Sequence, residues 1–340
     1  MPTFTTKHVV NIFRHAASLP SAVWDVFRRD QNISNIMYPH ARKALSVEGG
    51  HDVQFWLTCS TFHAIDTEPR LDFVLSCTEG PLGSYPIFIL PTTPFHTLTE
   101  DYIYPRIEQL AHSLLAVAGA ERVFSVFAPE PVTIAFSRLW SQITGIRSYD
   151  EPYYAAKLTH CTAATFVDRT MSVFPDISYL PRPATERDAA AVAELCAEFA
   201  STSEPFVLSE KRARKEAKYL IRQGLIWVLQ ASHNGQAAEI ASIVAVTRQS
   251  EDVAGITKVY TNPRWRKRGC AERLVRHVCR FLLADKCSVV LYVAHNNPAA
   301  AGVYHRVGFT GLDDSKRRVD GVDPWLEIGF DREVVRLGHW

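Results

Sequence analysis

The sequence predicts a two-lobed α/β protein built on mixed sheets, and three observations carry that reading. The chain has 340 residues, a length more often divided between two cores than held by one. Runs with a helical apolar period alternate with β-type runs along most of it. The order β-β-β-α-β-α-β also occurs twice, once in each half. That reads as a duplication, carried by element order rather than residue identity.

In the first half, "VQFWLTCSTF", "LDFVLSC" and "SYPIFILP" read as three strands, and "DYIYPRIEQLAHSLLAVAG" as a helix. "RVFSVFAP" reads as a strand, "PVTIAFSRLWSQITGI" as a second helix and "YYAAKLTHC" as the closing strand. Pro181 and Pro183 then punctuate the chain. A boundary near Ile177 divides it into domains 1–176 and 177–340.

Past that boundary, Thr185 is placed as an N-cap, with Asp188 at the N3 position of a capping box. Val192, Leu195, Cys196 and Phe199 follow as an apolar stripe at i, i+3, i+4, i+7. A helix over Ser209–Gln223 stops at Gly224, and its many Lys and Arg read as a solvated face. "LIWVLQA" and "EIASIVAVTRQ" flank Asn234-Gly235, a strong hairpin signal. "AGITKVYT" is the next strand, and the helix from Gly269 to Asp285 sets Leu274, Val275, Val278, Phe281 and Leu282 on one face. "SVVLYVA" reads as a buried strand and Pro298–Val307 as a helix, with two last strands near Phe309 and at "WLEIGF". Antiparallel strands lead, and one β-α-β crossover makes a parallel pair.

Composition narrows the function. Thirty-seven Lys and Arg face 36 Asp and Glu, a balance that argues against a nucleic-acid binder, which carries a basic face. No apolar run approaches the ~18–20 residues that span a bilayer. The opening "MPTFTTKHVV" lacks the basic flank and apolar core of a signal peptide. Seven scattered cysteines without a C-x-x-C speak against a disulfide framework or a zinc site. The expectation is a cytoplasmic protein with no metal, no nucleic acid and no membrane.

Against this neutral background, Arg264, Arg266, Lys267 and Arg268 crowd one helix start in "VYTNPRWRKRGCAERLV". Four like charges there oppose each other and the helix dipole, so a small anion is the expected occupant. Arg266-Lys267-Arg268-Gly269-Cys270-Ala271 reads R-x-x-G-x-A. Gly269 has no Cβ and lets the backbone turn close to a ligand. The helix start offers free N–H groups to phosphate oxygens, and the arginines add charge-assisted bonds. No Walker A loop or Rossmann fingerprint is present. A solvated turn is the plain alternative.

A second motif follows at the next strand–helix junction. Asn297, Ala300, Val303, Tyr304, Gly308 and Phe309 keep the spacing N-x-x-A-x-x-[LV]-Y-x-x-x-G-F. With "RPATERDA" and the R-x-x-G-x-A turn, in this order, the stretch from about Leu180 to Phe330 resembles the GNAT superfamily of acyl-CoA-dependent N-acyltransferases. The resemblance implies a mixed, splayed central sheet holding acetyl-CoA or another acyl-CoA. The first half would be a degenerate GNAT-like or accessory domain.

Carried over residue by residue, the resemblance places the pyrophosphate on the N–H groups of Lys267 to Ala271, Gly269 and Cys270 among them, with Arg266 and Arg268 alongside. The main chain of Val259, Tyr260 and Thr261 would pair with the pantetheine arm as an added strand does. Asn297 would bond that arm and Ala300 leave it room. Tyr304 would protonate the leaving thiolate, since a phenol near pKa ~10 can serve a thiolate near ~8.5 at close range; its spacing also suits a core aromatic.

The family often carries a carboxylate on the strand before the phosphate turn. Here that strand has Gly255, Thr257 and Lys258 and no acid. His295, Glu327 and Glu204 are the candidate bases; an imidazole titrates in a useful range, and a relayed proton needs none of them. The expected acceptor is a small-molecule amine. The alternatives are a protein lysine or N-terminus, a non-catalytic CoA-binding or scaffold protein, and an RNA module using "RWRKR".

Overall fold

The computed structural model describes residues 6–46, 54–62, 68–172, 174–313 and 318–339. The chain forms two compact units, one of residues 1–156 and 323–340 and the other of residues 157–322. Among the described residues no helix is long and apolar enough to cross a membrane.

The first unit opens with β1 (Lys7–Phe13) and three short helices, α1 (Ser21–Arg29), α2 (Gln31–Ser34) and α3 (Tyr38–Leu45). Their apolar positions Val23, Phe27, Tyr38 and Ala41 are buried. Next come β2 (Phe55–Phe62), β3 (Arg70–Cys77), a small hairpin of β4 (Glu79–Gly80) and β5 (Gly83–Ser84), and β6 (Ile87–Pro91). Helix α4 (Glu100–Ala118) leads to β7 (Ser125–Pro129) and α5 (Glu130–Thr144). β1, β2, β3 and β6 pair antiparallel, and β6 runs parallel to β7 over only Ile87↔Val126 and Phe88↔Phe127. The sequence pattern does not anticipate the opening strand and helices.

The second unit starts within β8 (Tyr154–Thr162) and continues with β9 (Ile177–Pro183). The capping box is formed: Thr185 N donates to Asp188 Oδ2 at 2.7 Å, so a 3₁₀ turn leads into α6 (Ala189–Ser201). Ser209 caps α7 (Glu210–Arg222) by accepting from Arg212 N. Asn234 and Gly235 both have positive φ, +49° and +72°. They turn β10 (Ile226–His233) into β11 (Glu239–Gln249), as a type I′ pair does. β12 (Val253–Thr261), α8 (Cys270–Leu282), β13 (Ser288–Ala294) and α9 (Pro298–Val307) follow. The strand order is β8-β13-β12-β11-β10-β9. One apolar layer joins α8 and α9 to the sheet, and a second joins α6 and α7 to its other face.

The boundary does not fall at Ile177. β8 serves the second unit from Lys157, where Lys157 Nζ donates to Gly311 O at 3.0 Å and Thr159 Oγ1 to Thr310 O at 2.6 Å. The last strand, β14 (Pro324–Gly329), belongs to the first unit and pairs antiparallel with β7, Glu327 opposite Phe127. No strand forms at Phe309; Gly308 turns with φ +115° and Phe309 N closes back on Tyr304 O at 3.0 Å.

A fragment cut at the expected boundary, 177–340, therefore lacks the strand beside β13 and carries β14 without β7. It bares Trp325 and Glu327, both fully buried in the intact chain. We expect it to melt without a cooperative transition in circular dichroism. A sharp, native-like transition would refute this account of the two units.

Candidate acyl-CoA site

The site is built where β12 and β13 part. Their parallel ladder runs from Val253↔Ser288 to Ile256↔Leu291 and stops. β12 continues to Thr261 on β11 alone, Ala245 opposite Lys258 and Ser242 opposite Thr261. Register shifts between Ala245 and Val246 and between Val246 and Arg248 mark bulges in β11 just there. Bulges bend a strand and increase its twist, which swings β12 from β13. From Lys258 to Thr261 the β13-facing edge is open, so Val259, Tyr260 and Thr261 offer main-chain groups to an extended ligand.

The turn after β12 is shaped by its own side chains. Asn262 Oδ1 accepts from Arg264 N at 3.0 Å, and buried Trp265 donates its indole N–H to Glu239 Oε2 at 3.1 Å. Lys267 and Gly269 then adopt φ of +60° and +71°. A left-handed non-glycine residue is uncommon, and two such residues with one between them turn successive N–H groups into a concave nest. Gly269 is the N-cap of α8 and supplies no side-chain cap. The first intrahelical bond from this end is Arg273 N to Gly269 O at 3.0 Å, which leaves the N–H groups of Cys270, Ala271 and Glu272 for an outside acceptor.

The cations divide by role. Arg264 pairs with Glu239 at 3.2 Å. Arg266 lies back along β12, its guanidinium 5.5 Å from the Tyr260 ring centroid with Nη2 donating to the Tyr260 hydroxyl at 3.1 Å. Arg268 rests over Trp265 at 5.0 Å. Lys267 is exposed and has no partner among the described residues.

Glu272, an acid in the first turn, would repel a phosphate if it were free. Burial pushes its carboxyl up, but hydrogen bonds from Arg306, Arg169 and Arg276 outweigh that and hold it below the usual range. The three arginines lie 2.7, 2.8 and 3.0 Å from it. Cys270 is buried, donates to Trp265 O at 3.4 Å and is pushed by burial to a pKa of about 11, so it is no nucleophile.

On α9, Asn297 caps its own helix, Oδ1 accepting from Ala300 N at 3.0 Å, and it is exposed. Its oxygen is thus committed to the helix. Ala300 packs on the layer that contains Ile256, Cys270 and Tyr304. Tyr304 is 8% exposed, edge-on to Phe309 at 5.7 Å, and burial raises its phenol far above the usual value. Its hydroxyl has no hydrogen-bond partner among the described residues.

The base candidates fare unequally. His295 is exposed at the end of β13, and Glu204 is exposed between α6 and α7. Glu327 is no part of this unit: β14 carries it into the core of the other, where it is fully buried and accepts from Ser125 Oγ at 2.7 Å.

Sequence reasoning missed Glu216. The charge pattern of α7 puts it on a solvated face, yet it sits in the buried stripe Ala213, Glu216, Ala217, Leu220, Ile221, and its carboxylate meets Lys258 of β12 at 2.7 Å. A glutamate inside an i, i+3, i+4, i+7 stripe was the available signal.

Comparison with known proteins bears on the family and the fold. Residues 192–309 match the family model of the Acetyltransferase (GNAT) family. Residues 192–309 are a GNAT domain. The fold extends the likeness over nearly the whole length. A tandem GNAT protein from the clavulanic acid biosynthesis pathway, solved without acetyl-CoA, is similar at 13% identity, over 96% of this chain and 98% of that one, with a TM-score of 0.50. A GCN5-related N-acetyltransferase from Sphaerobacter thermophilus is similar at 14% identity, over 97% and 96%, with a TM-score of 0.54. A Drosophila protein is similar at 11% identity, over 96% and 99%, with a TM-score of 0.58. No curated protein sequence matches the chain. Because these likenesses span nearly the whole chain, the first half shares the fold of those tandem proteins.

That GNAT-like unit lacks the turn. After β6 comes a short 3₁₀ segment, Phe95–Thr97, and α4 begins with Glu100 and Asp101 and no glycine. We therefore expect one CoA per chain in calorimetry; two would contradict the assignment. Gly269→Asp, an αL-tolerant change that adds a negative charge at the α8 start, should weaken CoA binding by about tenfold or more. Arg266→Ala should cost less, and its loss should shrink with salt. Unchanged affinity in the Asp variant, at an unchanged melting temperature, would remove this turn from the site.

Proposed function

We propose that the chain transfers an acyl group, most simply acetyl, from CoA to the amine of a small molecule in a cytoplasmic setting, by direct attack in a ternary complex. The observation that carries this is the uncapped, left-handed Lys267–Ala271 turn beside an open β12 edge, with the unpartnered Tyr304 hydroxyl in the layer beneath. Bound acyl-CoA supplies an activated thioester. The N–H groups from Lys267 to Ala271 hold its pyrophosphate, and Arg266, Lys267 and Arg268 balance the charge. Val259, Tyr260 and Thr261 align the pantetheine arm. Tyr304 hydrogen-bonds the departing sulfur and gives it a proton as the thiolate forms; burial keeps the phenol protonated and makes it a weaker acid, so the transfer relies on close contact with the developing charge.

The cysteines support direct attack rather than a covalent relay. Among the seven, only Cys287 is exposed, and it lies before β13, away from the turn. A non-catalytic CoA-binding protein is the reading favoured by the missing strand acid. A thiol-release assay across an amine panel separates the two. Tyr304→Phe keeps the ring and removes the proton donor. We expect near-normal folding and CoA affinity and turnover lower by ~10²–10⁴. Wild-type turnover in the variant, with chemistry rate-limiting, would make Tyr304 a packing residue only.

A further inference from the structure

Beyond the parting, Lys258 and Tyr260 stand two residues apart on β12 and so face the same side of the sheet, the side covered by α6 and α7. Lys258 Nζ donates to Glu216 Oε1 at 2.7 Å, and each side chain is 11% exposed. The ammonium lies 5.1 Å from the Phe199 ring centroid, against its face. Glu216 as a residue is 8% exposed, and its second oxygen, Oε2, is buried with no donor. Cys196 stands beside the pair, its thiol pushed up to about 12 by burial first; the Lys258 charge opposes this, and the Glu216 charge and a hydrogen bond to the Glu216 carboxylate add to it.

The pair is half satisfied on both sides. An ammonium has three N–H groups, and Lys258 uses one of them on Glu216; no other acceptor bonds it among the described residues. Glu216 uses one oxygen of two. A buried ion pair is favourable only when its remaining donors and acceptors are also bonded. A donor cation with two free N–H groups and an acceptor anion with one free oxygen, side by side, complement a ligand that carries an ammonium and a carboxylate close together. On the same side, Glu198 of α6 hydrogen-bonds the Tyr260 hydroxyl and its charge raises that phenol after burial has done so, while its Oε2 is buried without a donor.

We propose that Glu216 and Lys258 form the acceptor-recognition pair and that the acceptor is a zwitterion of the amino-acid class: its amine donates to Glu216 Oε2 and its carboxylate accepts from Lys258 Nζ. This names the acceptor class for the acyl-transfer reading and rests on that reading for every step after binding. A plain polyamine leaves Lys258 unanswered and brings like charge against it. Glu216 thereby stands in, from a helix, for the carboxylate absent from β12 at Gly255 and Thr257.

The test uses the full chain saturated with CoA. Binding of common amino acids is read by saturation-transfer NMR and calorimetry beside each one's decarboxylated amine, and thiol release from acetyl-CoA is read for the same pairs. We expect at least one amino acid to bind about ten- to a hundredfold more tightly than its amine, the range for a hydrogen bond to a charged group. Lys258→Met should erase most of that ratio and Glu216→Gln should weaken the amino acid, both with CoA affinity retained. If a single variant fails to fold, Lys258→Met with Glu216→Gln removes both charges together, and it must lose amino-acid binding and keep CoA. Equal binding of amino acid and amine, or a preference that survives in Lys258→Met and in the double variant, overturns the pair. Lys258-dependent amino-acid binding without thiol release upholds the pair and overturns acyl transfer. Thiol release with polyamines and with no amino acid does the reverse.

Discussion

The second unit depends on one constraint, the point at which β12 leaves β13. Up to Ile256 the strand is paired on both edges; from Lys258 it is paired on β11 alone. Unpaired main chain in a buried setting is costly, so an open edge persists only where solvent or a ligand completes it. The bulges in β11 make the bend, and the bend fixes the rest. It aims β12 into the Asn262–Trp265 turn, sets Lys267 and Gly269 left-handed, and starts α8 with free N–H groups at the mouth of the opening. A straight β12 would continue the ladder and close the opening beside β13.

The first unit shows the same plan put to another use. β6 and β7 also pair over just two residues before they separate. Yet its interior is filled by a buried network. Asp72, fully buried, accepts from Arg106 Nε at 2.9 Å and from the Tyr102 hydroxyl at 2.9 Å; Arg106 also reaches Thr61 and the Tyr102 carbonyl. Each nitrogen of that guanidinium has an acceptor, so it locks α4 to β2 and β3 instead of facing a ligand. With acids in the first turn of α4 and no glycine before it, the unit has this architecture without a matching basic turn.

Legibility in the sequence tracks locality. The stripes of α6 and α8, the Asn234-Gly235 turn, the Thr185–Asp188 box, the Gly269 turn and the Asn297 start of α9 are patterns within a dozen residues, and the structure has each of them. The partners of β8 and β14 were not legible, because choice between distant strands leaves no mark in either strand's own period. "WLEIGF" alternates equally well for either neighbour. The opening β1 was missed because its residues are exposed or half-buried, which blurs alternation, and α1 to α3 because none is longer than nine residues. Glu216 was missed for a different reason: charge count along α7 outweighed position in its stripe.

Two buried carboxylates on two helices of this unit show how position decides use. Glu272 is surrounded by Arg169, Arg276 and Arg306, and Arg276 further ties Val167 O and Arg306 O. All its capacity is taken up, and removal of Arg276, the buried partner at 3% exposure, costs about 3–5 kcal/mol. That cluster pins the segment after β8 and the end of α9 to α8, and it shields the phosphate turn from an acid next to it. Glu216 has one cation and one unused oxygen in an otherwise apolar layer. A low local dielectric makes an unmet polar atom expensive and a met one strong. A fold that saturates Glu272 with three guanidiniums has the means to saturate Glu216 too. Leaving it half met beside the open strand is the arrangement that reserves binding strength for a ligand.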